Sequence, residues 1–168
     1  MSTDTIPAFE SSLSGLGVDL VRTTAREFDA ALDDVVEQPA VGVPLPFAGV
    51  SLPDAVSEAS SVDDLEAAAT GITPAGYGIA SYGSVVLQGG PEGVEPVSLY
   101  GDTHVAVVAA SDVLPDMADA IPRIAADIRD GRGEAVVATG ASATADMGAL
   151  VQGVHGPTNV VVVVLMDR

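Results

Sequence analysis

Three uninterrupted apolar runs, at residues 105–109, 135–138 and 160–166, constrain the fold of this chain more than any other feature. A strand with one face in water alternates apolar and polar residues, and none of these runs does so. The runs therefore fit central strands of a largely parallel sheet that is covered by helices on both faces. Because helical stretches separate them, the sequence predicts a three-layer α/β fold with a mostly parallel sheet, to which a hairpin-like segment at 78–100 adds antiparallel pairing.

Capping residues and helix breakers place the other elements along a single domain of residues 1–168, a length typical of one core. Helix starts are predicted at Thr24 with Glu27, at Ser61 with Asp64, and at Ser111 or Asp112. The first helix is expected to end before Pro39 and the third at Gly131. Further strands are predicted at 18–22, 40–43, 84–87 and 97–100, and a short helix near 145–151.

The charge balance excludes two classes of partner. The chain carries 24 acidic residues against six basic ones, all of them arginine, for a formal net charge of −18. This charge repels nucleic acid and anionic membranes, so neither is expected as a partner. The acids are spread along the chain rather than gathered in a tail. That distribution favours adaptation to a high-salt cytoplasm over a cation-binding role.

Composition also argues against metal sites and membrane insertion. The chain has no cysteine and two histidines, so thiolate zinc sites, cysteine-ligated clusters and histidine-rich metal sites are not expected. The run at 160–166 is far shorter than the roughly 20 residues that cross a bilayer. The N-terminus has no basic region followed by an apolar segment, as a signal peptide would. A soluble, cytoplasmic protein is expected.

The polar stretch after the second apolar run is a candidate anion site. Thr139, Gly140, Ser142 and Thr144 follow a predicted strand and precede a predicted helix, an arrangement that presents backbone N–H groups to an anion. The alternative is structural. Ser142 or Thr144 then caps the helix, and Asp146 lies in its first turn against the helix dipole.

Two further segments are candidates for the same site. Gly153, His155 and Gly156 form a turn-like segment in which an exposed histidine can donate to an oxyanion or transfer a proton, or else bond nearby backbone. Tyr82, Gly83 and Ser84 are read as another wall of the cleft or as a hairpin tip. His104 begins an apolar strand and is interpreted as a hydrogen-bonded residue at the edge of the core.

These segments are expected to form one cleft for a small anionic ligand at the carboxyl ends of the strands, where ligands of open α/β sheets bind. No GxSxG, HExxH or paired-carboxylate motif is present, so no catalytic residue is assigned. From its residues alone, the chain is a soluble α/β domain with a candidate anion site.

Three segments together resemble the LUD domain family, the family of lactate utilisation protein C. They are TGASATADMGALVQGVHGP at 139–157, GIASYGSVVL at 78–87 and SLYGDTHVAVV at 98–108. The resemblance covers residues 70–166 well and the N-terminal part loosely. Ala143 stands where the family usually has a basic residue, and Ser81-Tyr82 stands where it often has Glu-Thr.

The resemblance implies a fold similar to the ribose-5-phosphate isomerase and CoA-transferase group. It also implies an accessory or regulatory role in the oxidation of L-lactate to pyruvate alongside iron–sulfur partner proteins. Any flavin or iron–sulfur cluster is then expected in a partner and no cofactor in this chain. A stand-alone enzyme acting on a small phosphorylated or carboxylated metabolite is the alternative. Whether the chain catalyses a reaction and whether it forms a homo-oligomer are left open.

Overall fold

A six-stranded parallel sheet forms the centre of the computed structural model, which describes residues 5–58, 61–146, 149–153 and 155–168. In the described part of the chain the strands are β1 Asp19–Thr23, β2 Ala40–Gly42, β3 Ser57–Glu58, β4 Thr70–Pro74, β5 Tyr77–Ile79, β6 Ser84–Gln88, β7 Thr103–Ala109, β8 Val113–Leu114, β9 Ala135–Thr139, β10 Ala143–Asp146, β11 Ala149–Gln152 and β12 Asn159–Leu165. The helices of the same part are α1 Thr5–Gly15, α2 Phe28–Leu32, α3 Val62–Ala67, α4 Val94–Tyr100 and α5 Met117–Arg129.

The central sheet has the strand order β1-β12-β7-β4-β2-β3, and all of its strand pairs are parallel. Its neighbouring strands β7 and β12 contain two of the valine-rich runs, and residues 105–109 and 162–165 are buried because different layers cover the two faces of the sheet. Phe28 and Leu32 of α2 pack on one face, against Val105 and Val163. Helices α1, α3 and α4 contribute to the core on the other face. The predicted α/β fold with a mostly parallel sheet is confirmed.

The apolar run at 135–138 does not belong to this sheet, so that part of the prediction is wrong. It forms β9, the edge strand of a second sheet with the order β8-β5-β6-β9, in which β5, β6 and β9 are antiparallel neighbours. Val136 is 38% exposed and Val137 41% exposed. An apolar run favours a buried strand, but it does not show which sheet the strand joins or how completely other elements cover it.

The segment predicted as a strand at 97–100 is instead part of helix α4. Its buried residues Val94, Val97 and Ser98 are spaced three and four apart, which is the spacing of one helix face. Pro96 lies in the first turn, where a missing N–H breaks no helical hydrogen bond. The spacing of these buried residues therefore indicates a helix, and Pro96 is compatible with it.

The short helix predicted near 145–151 is an antiparallel pair of strands, β10 and β11. Ala143 lies opposite Gln152, and Ala145 lies opposite Leu150. Residues 147 and 148 lie outside the described residues. Among the described residues, strand β10 follows Ser142 in place of the predicted helix. The helix start on which both interpretations of this segment relied, an anion at a helix N-terminus or a simple helix cap, is therefore wrong.

Two other helix starts differ from their predicted positions, and α2 ends at Leu32 instead of just before Pro39. The turn after Thr24 delays α2 to Phe28, and α5 starts after Asp116, whose carboxylate accepts from the Ala118 N–H at 2.8 Å. The cap at Ser61 is confirmed. Helix α1 was not predicted, although Ile6, Phe9 and Leu13 have helical spacing. None of the helices in the described ranges has the length and apolar character that crossing a membrane requires.

Candidate functional site

A cleft of about 220 Å³ lies between the central sheet and the second sheet. Most of its described wall is aliphatic, from α1, β6, β9 and β12. The aliphatic residues are Leu13, Val18, Val85, Leu87, Leu99, Val136, Ala138, Ala141, Val160 and Val162. Five side chains with polar atoms complete the wall: Ser98, His104, Thr139, Ser142 and His155. The cleft therefore combines an apolar interior with a few hydrogen-bonding groups, as small-molecule sites do.

Two of the candidate segments meet in this cleft. The Ser142 N–H donates to the Pro157 carbonyl at 2.9 Å, and the Gly153 N–H donates to the Ser142 carbonyl at 3.0 Å. A Cβ added at Gly156 would lie 3.2 Å from the Ser142 Cβ, so the two segments pass close to each other. Thr139, Gly140, Ser142, His155 and Gly156 all line the same space as a result.

The third segment contributes unequally to the cleft. Gly83 is part of the lining, whereas Ser84 is buried beside it and its hydroxyl bonds that of Thr139 at 2.6 Å. Tyr82 lies outside the lining and is 54% exposed. Gly83 and Ser84 thus support the cleft, and Tyr82 does not reach it.

Three other candidates occupy structural positions. Gly153 holds the turn with φ 75°, a left-handed conformation that favours glycine. Thr144 pairs with Val151 and Asp146 with Ala149 in the β10–β11 ladder. The side chains of Thr144 and Asp146 lie outside the described part of the structure.

The cleft lies near the amino ends of the central strands rather than at their carboxyl ends as expected. His104 is the second residue of β7, and Val160 is the second residue of β12. The expectation was wrong because Thr139 ends a strand of the second sheet, whose direction is independent of the parallel strands. The His155 turn leads into β12 and therefore lies at that strand's amino end.

His104, which the sequence predicts only as a residue at the edge of the core, belongs to the candidate site. It is 3% exposed, its Nε2 lies 2.8 Å from the Thr73 Oγ1, and it also lines the cleft. Burial lowers the pKa of His104 to about 4, so the ring is neutral at physiological pH. The sequence signal for this site residue was a histidine at the start of an apolar strand. Such a histidine can be buried in the core and still contact a ligand.

The charge of the cleft limits the ligands that it can accommodate. None of the described residues that line it is an arginine, an aspartate or a glutamate. Its volume of about 220 Å³ is smaller than the 300–1,000 Å³ typical of sites for larger ligands. The arrangement suits a small ligand with an apolar body and one or two oxygen acceptors.

A second cleft of about 780 Å³ lies at the carboxyl ends of β2 and β4. Four of its lining residues are charged: Glu92, Asp112, Arg132 and Glu134. It holds none of the predicted site residues and neither histidine. The smaller cleft, which gathers both histidines, is therefore the candidate site.

Comparison with known proteins identifies relatives over most of the chain. Residues 8–165 match the family model described as the LUD domain. The chain is 33% identical over 119 residues to lactate utilization protein C of Bacillus velezensis, covering 68% of this chain and 49% of that protein. It is 34% identical, with the same coverage, to lactate utilization protein C of a Geobacillus species. The chain thus spans about half the length of these curated relatives.

Two relatives from Deinococcus radiodurans cover the chain more fully. The lactate utilization protein C of that organism is 27% identical over 167 residues, covering 94% of this chain and 77% of that protein. The crystal structure of a DUF162 family protein superposes with a TM-score of 0.74 at 21% identity, covering 97% of each chain. At that identity the superposition supports the fold alone. From the match over residues 8–165, the chain belongs to the LUD domain family.

Proposed function

We propose that this protein is a subunit related to lactate utilization protein C, with an accessory or regulatory role in the oxidation of L-lactate to pyruvate. The observation that carries the proposal is the LUD domain match over residues 8–165, together with relatives named lactate utilization protein C. The cleft between the two sheets is the ligand site in this proposal.

The lining of the cleft supports a small carboxylate as the ligand. A phosphorylated metabolite carries about two negative charges at neutral pH, and phosphate sites commonly supply arginine or lysine. The described lining has no arginine, and the chain has no lysine. Hydroxyl and imidazole groups beside aliphatic walls suit a monocarboxylate with a short apolar body.

The proposed reaction requires a partner protein that accepts electrons. Oxidation of L-lactate to pyruvate removes two electrons and two protons, so an electron acceptor is needed. The chain has no cysteine and cannot supply thiolate ligands to an iron–sulfur cluster. We therefore assign the cluster, and any flavin, to iron–sulfur partner proteins that bind this subunit.

The proposed role is tested by co-purification and by growth. The tagged chain, purified from its native host, is expected to retain iron–sulfur proteins that an untagged strain does not yield. A strain lacking the gene is expected to grow poorly on L-lactate and to recover with the wild-type gene. Normal growth of the deletion strain together with an absence of iron-containing partners would contradict the role.

A matched pair of variants tests the cleft itself. Ala138→Phe places a large ring in the cleft, whereas Val137→Phe alters the next residue of the same strand, which does not line it. Growth on L-lactate is expected to fail with Ala138→Phe and to recover with Val137→Phe. Both proteins are checked for folding by circular dichroism. Equal growth of the two strains would show that the cleft is not needed for growth on L-lactate.

The presence of both histidines in one cleft supports a second candidate, a stand-alone enzyme acting on a small carboxylated metabolite. Histidine is a common proton donor and acceptor in catalysis. The isolated protein is tested for turnover of small carboxylic acids with and without its co-purified partners. Turnover by the isolated chain would favour this candidate, and turnover only in the complex would favour the accessory role.

We also propose that the protein works in a cytoplasm of high salt concentration. Acidic side chains such as Asp63, Glu66, Asp116 and Asp119 are exposed, and the formal net charge is −18. Mobile cations screen the repulsion among such charges. The salt dependence of the thermal unfolding midpoint tests this proposal.

A further inference from the structure

We propose that His104 donates a hydrogen bond from its Nδ1–H into the cleft and thereby selects a small monocarboxylate or 2-oxo acid. Thr73 orients the ring and fixes the position of its proton. The identity of the ligand rests on the proposed function, whereas the position of the proton does not. His104 would thus be a binding residue on the floor of the cleft, rather than only a member of the core.

The imidazole is held rigidly by the central sheet. His104 lies in register between Gly71 of β4 and Val160 of β12, in the middle of three parallel strands. Its Nε2 lies 2.8 Å from the Thr73 Oγ1, and the Thr73 side chain is fully buried. A ring fixed at one nitrogen in this way has its other nitrogen in a defined position.

Counting donors and acceptors indicates which nitrogen carries the proton. Within the described residues, the contact with His104 is the one hydrogen bond of the Thr73 hydroxyl. If Nε2 carried the proton, it would donate to Thr73 and leave the hydroxyl proton buried without an acceptor, which is costly. If the Thr73 hydroxyl donates to Nε2, its proton is satisfied. The neutral ring then carries its proton on Nδ1.

The Nδ1 atom remains available to a ligand. It has no hydrogen bond to any described residue. In the described part of the chain, every fully buried side-chain nitrogen or oxygen has a hydrogen-bond partner. Because Nδ1 has no partner, it is not fully buried. Since His104 is 3% exposed and lines the cleft, the open side of Nδ1 is the cleft.

The surroundings of this donor define the ligand class. Ser142 and His155 line the same cleft and can bond a second oxygen of the ligand. Val85 and Val162 provide aliphatic surface for a short carbon chain. A carboxylate or 2-oxo group accepts from an N–H donor, whereas a phosphate dianion would lack a guanidinium partner in the described lining.

The proton position is measured directly by long-range ¹H–¹⁵N correlation NMR on the full chain at pH 7 in KCl. The chain has two histidines, so a His155→Ala variant assigns both sets of signals. The expected pattern for His104 is that of the Nδ1–H tautomer. In Thr73→Val, which removes the hydroxyl, this preference is expected to be lost. A wild-type pattern of the Nε2–H tautomer would overturn the proposal.

Ligand selection is measured by titrating sodium pyruvate, sodium L-lactate and potassium phosphate separately into the same sample. Pyruvate or lactate is expected to shift the His104 Nδ1 signal and phosphate is not. His104→Leu is expected to weaken binding about tenfold, the effect of losing one hydrogen bond to a charged acceptor. His104→Gln, which keeps an N–H donor, is expected to retain part of the affinity.

Each outcome of the titration decides the ligand class. Tighter binding of phosphate than of the two acids, or no binding of either acid, would overturn the proposed ligand class. The titration of the wild-type protein alone gives this answer, even if a variant fails to fold. The proposed function fails separately: a chain that binds pyruvate through His104 but has no partner and no effect on growth retains the ligand site and loses the role in lactate oxidation.

Discussion

The backbone N–H of Ser142 donates to the carbonyl oxygen of Pro157 at 2.9 Å. This bond joins the end of the second sheet to the turn that leads into β12, the strand next to the edge of the central sheet. It holds Ser142 and His155 on the same cleft although 12 residues separate them in sequence. The stability of the His155 turn should therefore control the shape of the cleft.

Replacing Gly153 with alanine should destabilise the protein through this turn. Gly153 has φ 75°, and a Cβ there would lie 2.3 Å from the Thr158 Cγ2. Thr158 is held by its bond to the Asp102 carbonyl. Gly131→Ala is the control, since Gly131 has φ 82° with no atom near its Cβ. Urea denaturation should show a loss of about 1 kcal/mol for the control and about 1–3 kcal/mol more for Gly153→Ala. Equal losses would show that the contact with Thr158 relaxes freely.

The hydroxyl pair beneath the cleft should contribute measurably to stability. Ser84 is 1% exposed, and its hydroxyl lies 2.6 Å from that of Thr139. Thr139→Val leaves the Ser84 hydroxyl buried and unpaired, at a cost of about 1–3 kcal/mol. The double variant Ser84→Ala/Thr139→Val should lose less than the sum of the two single variants. Strict additivity in the denaturation experiments would contradict the pairing.

Acid should destabilise the protein through His104. Burial lowers the pKa of His104 to about 4 in the folded state, against 6.5 for an unperturbed histidine. The unfolded state therefore binds a proton that the folded state does not as the pH falls from 6.5 to 4, and stability is lost in that window. The loss should reach a few kcal/mol, on the order of 1.4 kcal/mol for each unit of pKa difference.

The measurement compares wild type with His104→Gln, so that protonation of the carboxylates affects both proteins alike. The free energy of unfolding should fall more steeply between pH 6.5 and 4 in wild type. Parallel curves for the two proteins would show that His104 is not held in its neutral form.

High pH should destabilise the protein through Tyr77. Burial, together with the hydrogen bond from its hydroxyl to the Asp127 carboxylate, raises the pKa of Tyr77 to about 12 from 10. The folded state keeps the phenol proton more tightly than the unfolded state, so this stabilisation is complete below pH 10 and is lost as the pH rises to 12. Tyr77→Phe should flatten the decline, and Tyr82→Phe, at an exposed tyrosine, should not. The free energy of unfolding at pH 9, 10 and 11 tests this difference.

Salt should raise the stability of the fold. At a formal net charge of −18 the folded chain repels itself, and the Debye length falls to about 3 Å at 1 M ionic strength. The thermal midpoint should therefore rise clearly between low and molar KCl, with sucrose of matched water activity as a control for non-ionic effects. A midpoint that does not change with KCl would remove the proposal of a high-salt cytoplasm.

The sequence by itself determined the α/β class of the fold and indicated part of the set of residues that line the cleft. Valine runs such as that of β12 predicted a buried parallel sheet, because both faces of such a strand must avoid water. The glycine-flanked His155 and the hydroxyl-rich segment at 139–142 were recognised as unusual polar groups between apolar elements. These conclusions depend on local composition, which the sequence states directly.

Only the tertiary structure decided how the segments combine. Strands β10 and β11 form where a helix was predicted because Ala145 pairs with Leu150, and pairing partners override weak local helix preferences. The run at 135–138 joins the second sheet because β6 offers it an open edge. His104 lies both in the core and in the lining of the cleft because β7 carries it between the two sheets, where Thr73 bonds one of its ring nitrogens. Each of these outcomes depends on contacts between residues distant in sequence, and such contacts exist only once the chain has folded.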